Sequence, residues 1–535
     1  MSYSKGINAS AATMSKNRTP NSVCPYSGLC TTCIEGCPGL CEVGKSALRG
    51  REMIYPQPFG SITAASEKDY PVDFSHFNIM GTAVGAFGIE PDSDKAIFPA
   101  VKLETKIGGR NGIKLRLPVI IPGLGSTKVA KDNWEGLAIG AAISGVPLTI
   151  GENVCGMDPD AEIVGGRVKK SPDMENRIKL YRDWSDGYGT VVVQSNVEDT
   201  RLGVLEYAIQ ELGVEAVELK WGQGAKDIGG EVKLSTLERA LELKRRGYIV
   251  LPDPEDPAVQ EAFNHGSFKE FERHSRIGMV SWEDFAGRVE ELRKIGAKYV
   301  FLKTGAYRPA DLARAVKFAS DAKIDLLTVD GAGGGTGMSP WRMMNEWGIP
   351  TVYIEALLYQ YLKEIDKQGG YLPSVAIAGG FSLEDHIFKG LALGAPYVNL
   401  VGMARGPLTA AMVGKTLGNQ IKEGKVSKEI SGRYGDKLEQ VFASTATLKE
   451  RFGDNFKDIP PAAIGVFTYF DRLAVGLSQL MCGARKFGLN YIERRDIAAL
   501  TREASEITGI RYIMDVDREE VMGILWSGER KVKAV

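Results

Sequence analysis

Two lysines and a set of paired glycines stand where chemistry is easiest to place. Lys220 ends the apolar run of AVELKWGQGAKDIGG, and Lys303 ends that of KYVFLKTG. A lysine at the end of a buried run is costly unless a carboxylate or an anionic ligand faces it. For either one alone, a side chain snorkelling to solvent is the bland alternative. Two at equivalent depth favour an anionic ligand or a flavin. SVAIAGG closes on Gly379-Gly380, and YVNLVGMARG on Gly402-Met403-Ala404-Arg405. Glycines in such turns let backbone N–H groups approach phosphate oxygens, and Arg405 would add a charge-assisted hydrogen bond. Ser126 in GLGS, Glu152 and Asn153 in GEN, and Gln223 and Lys226 after Lys220 end comparable runs.

These positions converge only if the runs are strands whose ends meet. The runs are PVIIPG (118–123), VPLTIG (146–151), TVVVQ (190–194), AVELKW (216–221), KYVFLK (298–303), DLLTVDG (325–331), SVAIAGG (374–380) and YVNLVG (397–402). Amphipathic stretches such as ADLARAVKFASDA separate them. Apolar strands alternating with helices predict a buried parallel sheet. Eight of them fit a (β/α)8 TIM barrel, with its active site where the strands end and its phosphate site at strands seven and eight. A doubly wound open sheet is the competing arrangement. The organisation expected is a tail over 1–20, a cysteine segment over 21–50, and a lead-in packing on the barrel over 51–116. The barrel follows over 117–415, with an insertion above its mouth at about 227–297, and then a helical C-terminal extension over 416–535.

Composition narrows the class. Hydrophobic residues at 44% and charged residues at 25% exclude global disorder. A net charge of −1 leaves no basic excess for nucleic acid or an anionic membrane. The longest uncharged stretch, from Leu137, is too short for a bilayer span and contains Gly145 and Pro147. The first twenty residues show no apolar leader. A soluble, cytoplasmic protein that forms an oligomer is expected. Glycine is in excess, 63 of 535 residues against a usual ~7%.

The chain resembles the flavin-binding synthase domain of glutamate synthases from about Pro118 to Gly414. KWGQGAKDIGG (220–230) is similar to that family's lysine-x-alanine-glutamine-glycine-alanine-lysine-proline-x-x-glycine-glycine segment. GGGTGMSP (333–340) is similar to its glycine-glycine-threonine-glycine-alanine-serine-proline loop. GLGS, GEN and LKTG match further landmarks in order. The resemblance implies FMN, contacted by Gly125, Ser126, Gly151, Glu152, Asn153, Gln194 and Lys220. Gly379, Gly380, Gly402, Met403, Ala404 and Arg405 would hold its phosphate. It implies reduction of an imine formed from a 2-oxo acid, 2-oxoglutarate in the family, and ammonia. Lys303, Lys220 and Glu152 would be catalytic. Gln223, Lys226, Lys303, Thr336 and Ser339 would face a small anionic substrate.

Three departures accompany the resemblance. The family's histidine-aspartate before the loop reads Ala332-Gly333. Its serine-glycine-arginine-phenylalanine-glycine segment is matched to SDGYG (185–189), without the arginine. Its cluster cysteines after the last strand are absent from GPLTAAMVGKTLG. Residue 2 is serine and no amidotransferase domain precedes the barrel, so ammonia is expected free or from a partner amidotransferase subunit. The lost arginine and histidine-aspartate pair leave open another anionic, amino-acid-derived substrate, or a non-catalytic electron-transfer subunit.

Five of the seven cysteines, Cys24, Cys30, Cys33, Cys37 and Cys41, lie in CPYSGLCTTCIEGCPGLC. The piece C-x2-C-x3-C-P resembles the end of a ferredoxin ligand run, with Ser27 where the first cysteine would stand. Thiolates at this spacing suit an iron–sulfur cluster of the 4Fe-4S type; zinc is the alternative. GAGGGTG does not have the dinucleotide fingerprint, so electrons are expected from a ferredoxin or a reductase subunit.

Overall fold

The computed structural model describes residues 68 and 70–526, apart from 110–111, 225–227, 229–230 and 336–338. At its centre eight parallel strands close into a barrel: β1 (Val119–Leu124), β2 (Leu148–Ile150), β3 (Val191–Ser195), β4 (Ala216–Lys220), β5 (Tyr299–Thr304), β6 (Leu326–Asp330), β7 (Ser374–Ala378) and β8 (Leu400–Gly402). Each falls within or one to two residues of one of the eight apolar runs. β3 and β6 are buried along their whole length, as strands covered by helices outside and by a filled interior inside must be.

Strand alternation sorts the interior into layers. Ile120, Val192, Ala216, Phe301, Leu326, Ala376 and Leu400, one from each strand except β2, pack together with Ile107, Ile113 and Leu115. The last three belong to an antiparallel hairpin, Thr105–Ile107 with Ile113–Leu115, which closes the barrel floor. Side chains two residues further along each strand face the interior again. That next layer is Pro122, Thr149, Gln194, Glu218, Lys303, Thr328, Ala378 and Gly402. It is polar from β2 to β6 and small or apolar from β7 to β1.

Five helices matter below: α1 (Lys128–Ser144), α2 (Trp282–Lys294), α3 (Thr351–Lys367), α4 (Arg405–Lys422) and α5 (Pro461–Gly483). α1, α4 and α5 pack against one another through glycines. A Cβ on Gly136 would stand 2.2 Å from the Ala462 side chain, one on Gly140 2.5 Å from Val466, and one on Gly418 2.3 Å from Pro461. Part of the glycine excess therefore serves close helix contact and not strand ends.

Two expected boundaries move. The insertion after β4 is a three-stranded antiparallel sheet of Glu231–Leu234, Ile249–Leu251 and Phe271–His274. It ends before α2, because Phe285, Val289 and Leu292 bury α2 in the main core as the barrel's own helix. The division at 415/416 falls inside α4, which is the helix that follows β8. From there to Trp526 the chain is mainly helical, with one short strand at Ile497–Ala499. Among the described residues no helix is long and apolar enough to cross a membrane. Tyr70 packs with Ala306 and Ala332, just past β5 and β6. From there the chain runs outside the barrel, pairing Phe77–Ile79 with Ile497–Ala499.

Candidate active site

Parallel pairing of β4 and β5 puts Lys220 opposite Lys303, the equal depth expected of them. Each lysine meets a carboxylate. Lys220 Nζ donates to Glu152 Oε1 at 2.6 Å and to Gln223 Oε1 at 2.9 Å. Lys303 Nζ lies 3.1 Å from Asp330 Oδ2, at the end of β6. Burial disfavours ionised Glu152, but the adjacent Lys220 charge and hydrogen bond outweigh it and bring its carboxyl down to about 2. Burial also opposes the Lys303 charge, and Asp330 and Glu218 overcome it, holding the ammonium above its ordinary value. Glu218 itself is pushed up by burial and accepts from Gln194 Nε2 at 2.5 Å.

The polar arc is incompletely satisfied. Thr149 Oγ1, Gln194 Oε1 and Thr328 Oγ1 are buried without a hydrogen-bond partner, as is Ser339 Oγ above them. Unpaired buried polar atoms are costly and need a water, an ion or a ligand to satisfy them. On the other side, Pro122, Ala378 and Gly402 take up little space. Polar demand facing open room at the C-terminal end of a barrel fits a flavin, and these are the residues that would hold it.

The glycine turns do more than wait for phosphate. Gly379 adopts φ +125°, and a Cβ there would lie 2.4 Å from Thr351 Oγ1 at the start of α3. That hydroxyl lies 2.7 Å from the Gly379 carbonyl and 3.0 Å from that of Ala332, tying the β6 and β7 turns together. A Cβ on Gly125 would stand 2.4 Å from the Glu152 carbonyl, so the β1 and β2 turns also pack backbone on backbone. Gly151 is part of the same contact. Arg405 donates through Nη2 to the Gly333 carbonyl at 2.9 Å, and burial depresses its pKa. Met403 is fully buried in the core, so at the turn it offers backbone only, while Ala404 caps α4.

Asn153 turns its polar groups into the wall. Its N–H reaches both Asp199 oxygens, at 3.1 and 3.0 Å, and its Oδ1 accepts from Arg273 of the insertion at 3.3 Å. Burial raises Asp199 to about 7. Ser126 is half-buried after β1. Lys226, Thr336 and the five cysteines Cys24, Cys30, Cys33, Cys37 and Cys41 lie outside the described residues; among the described ones no cluster of metal-ligating side chains occurs. Cys155 is buried in the core, where desolvation pushes its thiol up.

A cavity of about 1000 Å³ opens from Glu152, Lys220 and Gln223 outward over the ends of β3, β4 and β5. Ser195, Trp221, Arg201, Arg276 and Tyr307 also line it. Arg201 and Arg276 both grip the buried Glu198, at 3.1 and 3.0 Å.

The structure revises two of the departures. SDGYG lies at the N-terminal end of β3, where Asp186 joins Arg116 and Arg451 at the foot of the barrel. A mouth arginine must follow the strand, and Arg201-Leu202-Gly203 there has the arginine–apolar–glycine order. Position 333 is glycine, but a carboxylate reaches the same loop from three residues earlier. A Cβ on Gly334 would stand 2.4 Å from Asp330 Oδ1. Asp330, Glu218 and Arg201 escaped the motif reading; their signal was position relative to strand ends.

Fold and site together define an eight-stranded parallel barrel with paired lysines and an incompletely satisfied polar arc at its C-terminal end. Residues 273–414 match the family model described as the conserved region in glutamate synthase. The chain is 31% identical over 222 residues to an archaeal glutamate synthase (NADPH) of Methanocaldococcus jannaschii, covering 41% of this chain and 38% of the relative. It is 27% identical over 311 residues to an archaeal-type glutamate synthase (NADPH) of Thermotoga maritima, covering 58% and 51%. It thus spans about half or less of the length of these relatives. A mutant flavocytochrome b2 with pyruvate bound superposes with a TM-score of 0.45 at 15% identity, over 81% of this chain and 78% of that one. The second half of the barrel is thus similar to the conserved region of glutamate synthases.

Proposed function

We propose that this protein is an FMN-dependent oxidoreductase of the glutamate synthase type. It reduces the imine formed from a 2-oxo acid, 2-oxoglutarate first among candidates, and ammonia. One observation carries the reading: two lysines on paired strands, Lys303 buried and Lys220 partly so, each backed by a carboxylate, beside orphaned polar atoms at the barrel mouth. FMN bound there would supply the two electrons of the reduction. The polar arc from Thr149 to Thr328 would hold its ring, and the turns at Gly379-Gly380 and Gly402–Arg405 its phosphate.

The chain's own residues divide the remaining work. Lys303, kept charged by Asp330, pairs with the substrate carboxylate. Lys220 Nζ presents protons at the mouth, where the imine nitrogen must gain one. Glu152, ionised down to about pH 2, accepts from Lys220 and orients it; it is an acceptor and not the acid. Reduction lowers positive charge on the substrate nitrogen inside a preorganised polar wall, which costs little reorganisation.

Cys24, Cys30, Cys33, Cys37 and Cys41 supply the ligands of an iron–sulfur cluster that takes electrons from a ferredoxin or a reductase subunit. Ammonia arrives free or from an amidotransferase partner. The apolar Ala332 where the family has histidine supports a second reading, in which the same site takes another anionic amino-acid-derived substrate. The lysine–carboxylate pairs weigh against a purely electron-transferring subunit.

The test is an anaerobic visible spectrum of the purified protein, followed by turnover with 2-oxoglutarate and ammonium under a reduced ferredoxin. Flavin bands with a broad absorbance near ~400 nm, expected for an iron–sulfur chromophore, and glutamate formation lost in Lys303→Ala support the proposal. A colourless protein, or full turnover by Lys303→Ala, overturns it. Reoxidation by other 2-oxo acids but not 2-oxoglutarate shifts the assignment to the second reading.

A further inference from the structure

The cavity above β3 to β5 is larger than a small 2-oxo acid needs, and its outer wall is apolar and uncovered. Ile277, Met279 and Val280 on the loop after the insertion are 61%, 87% and 49% exposed. Three neighbouring apolar side chains left open beside a functional mouth mark a contact surface. The described chain begins past the ends of β5 and β6, next to one wall of this cavity. Lys68 reaches Glu346 at 2.5 Å, and Tyr70 is buried against Ala306, next in sequence to Tyr307 of the cavity wall.

We propose that this groove is the docking site of the protein's own N-terminal segment, between Cys24 and Ser66. The inference rests on the functional reading above only for its purpose; its placement stands on the groove and on where the chain emerges. The stretch from Cys41 to Lys68 reaches across the mouth several times over at ~3.3 Å per residue. Tyr26, Leu29, Ile34, Leu40 and Val43 supply apolar side chains around the cysteines. By strand order the groove at β3 to β5 lies across the barrel from the glycine turns of β7 and β8. The segment therefore sits on the side of Lys220 and Glu152, away from the phosphate turns. A metal centre held by those cysteines would then lie on the substrate side of the mouth, where it could supply electrons.

The test is photo-cross-linking in the full-length protein, with Met279→p-benzoylphenylalanine and, separately, Ile277→p-benzoylphenylalanine. Cross-linked peptides are mapped by mass spectrometry at several protein concentrations. The expected result is an intramolecular cross-link from both positions to peptides within 24–66, independent of concentration. Cross-links to a second copy, to any other segment, or none above those from the exposed control Val164→p-benzoylphenylalanine overturn the proposal. The readout needs neither flavin nor turnover. A colourless protein that gives the expected cross-link refutes the functional reading alone, and an active protein without it refutes the docking alone.

Discussion

Replacing Asp330 with asparagine isolates the electrostatics of the site. Lys303 and Asp330 are 6% and 10% exposed with 3.1 Å between charged atoms. At an effective dielectric of ~20 that separation corresponds to about 5 kcal/mol of attraction. Both groups lose hydration when buried, so the net worth of the pair is far smaller, while breaking it strands the Lys303 charge. Such breaks cost about 3–5 kcal/mol. Glu218 still faces Lys303, which places Asp330→Asn near ~3 kcal/mol at the lower end of that range. The double variant Lys303→Met/Asp330→Leu removes both charges at similar volume and is expected within ~1 kcal/mol of the parent.

The assay is a double-mutant cycle on the urea transition of the barrel, followed by far-ultraviolet circular dichroism. The pH dependence has a defined sign. Lys303 is held above its ordinary value in the fold, so its contribution is whole below about 10.5 and is lost as pH rises through the folded value. The penalty of Asp330→Asn should then stay constant from about pH 6 to 9 and shrink only in strong base. Added salt should change it little, because buried pairs are weakly screened. Additive single-variant losses, or an Asp330→Asn penalty below ~1 kcal/mol, the range of an exposed pair, would refute the reasoning.

Two other substitutions test the turns and the second pair. Gly379→Ala forces an L side chain to φ +125° and a Cβ to 2.4 Å from Thr351 Oγ1. It should cost at least ~2 kcal/mol and release FMN, read as flavin lost on gel filtration; a variant that keeps both stability and flavin contradicts the knot at Thr351. Glu152 sits at about 2 in the fold against 4.5, so its contribution is present above about 4.5 and fades as pH falls towards 2. Glu152→Gln should cost up to ~3 kcal/mol at neutral pH, with the gap to the parent narrowing on acidification in urea titrations. A gap that widens below pH 4.5 would reverse the sign.

The barrel was legible because each strand carries its own signal. Runs such as VVVQ and LLTVD are short, apolar and bounded by turns, and eight of them in regular alternation with helices admit few other folds. Lys220 and Lys303 were legible for a related reason: a charge at the end of an apolar run stands out locally. Asp330 did not, since an aspartate before glycine at a strand end also reads as an ordinary turn. Its role appears only when β5 and β6 are set side by side. The SDGYG assignment failed on direction, because short glycine-rich segments occur at both ends of a strand and only the C-terminal end faces the mouth. The Gly379 turn was found for its freedom of backbone, yet its first partner is the Thr351 hydroxyl, a contact between residues 28 positions apart.

Register turns this around. Counted from the floor layer, the inward positions read Val192 then Gln194, Ala216 then Glu218, Phe301 then Lys303, and Leu326 then Thr328. On the neighbouring strands they read Ala376 then Ala378, and Leu400 then Gly402. The interior changes character in a single two-residue step, at the same height all round, to polar on one arc and small on the other. A purely structural barrel has no use for that change, since buried polar layers must be satisfied and Thr149, Gln194 and Thr328 are not. A ligand that is polar along one edge and needs room on the other resolves both halves at once. The lysine pair then stands on the polar side, with Lys220 lining the uncovered groove, and the glycine turns stand on the open side. On the proposed function, that opposition would let one ligand be anchored at β7 and β8 while its chemistry is done at β4 and β5.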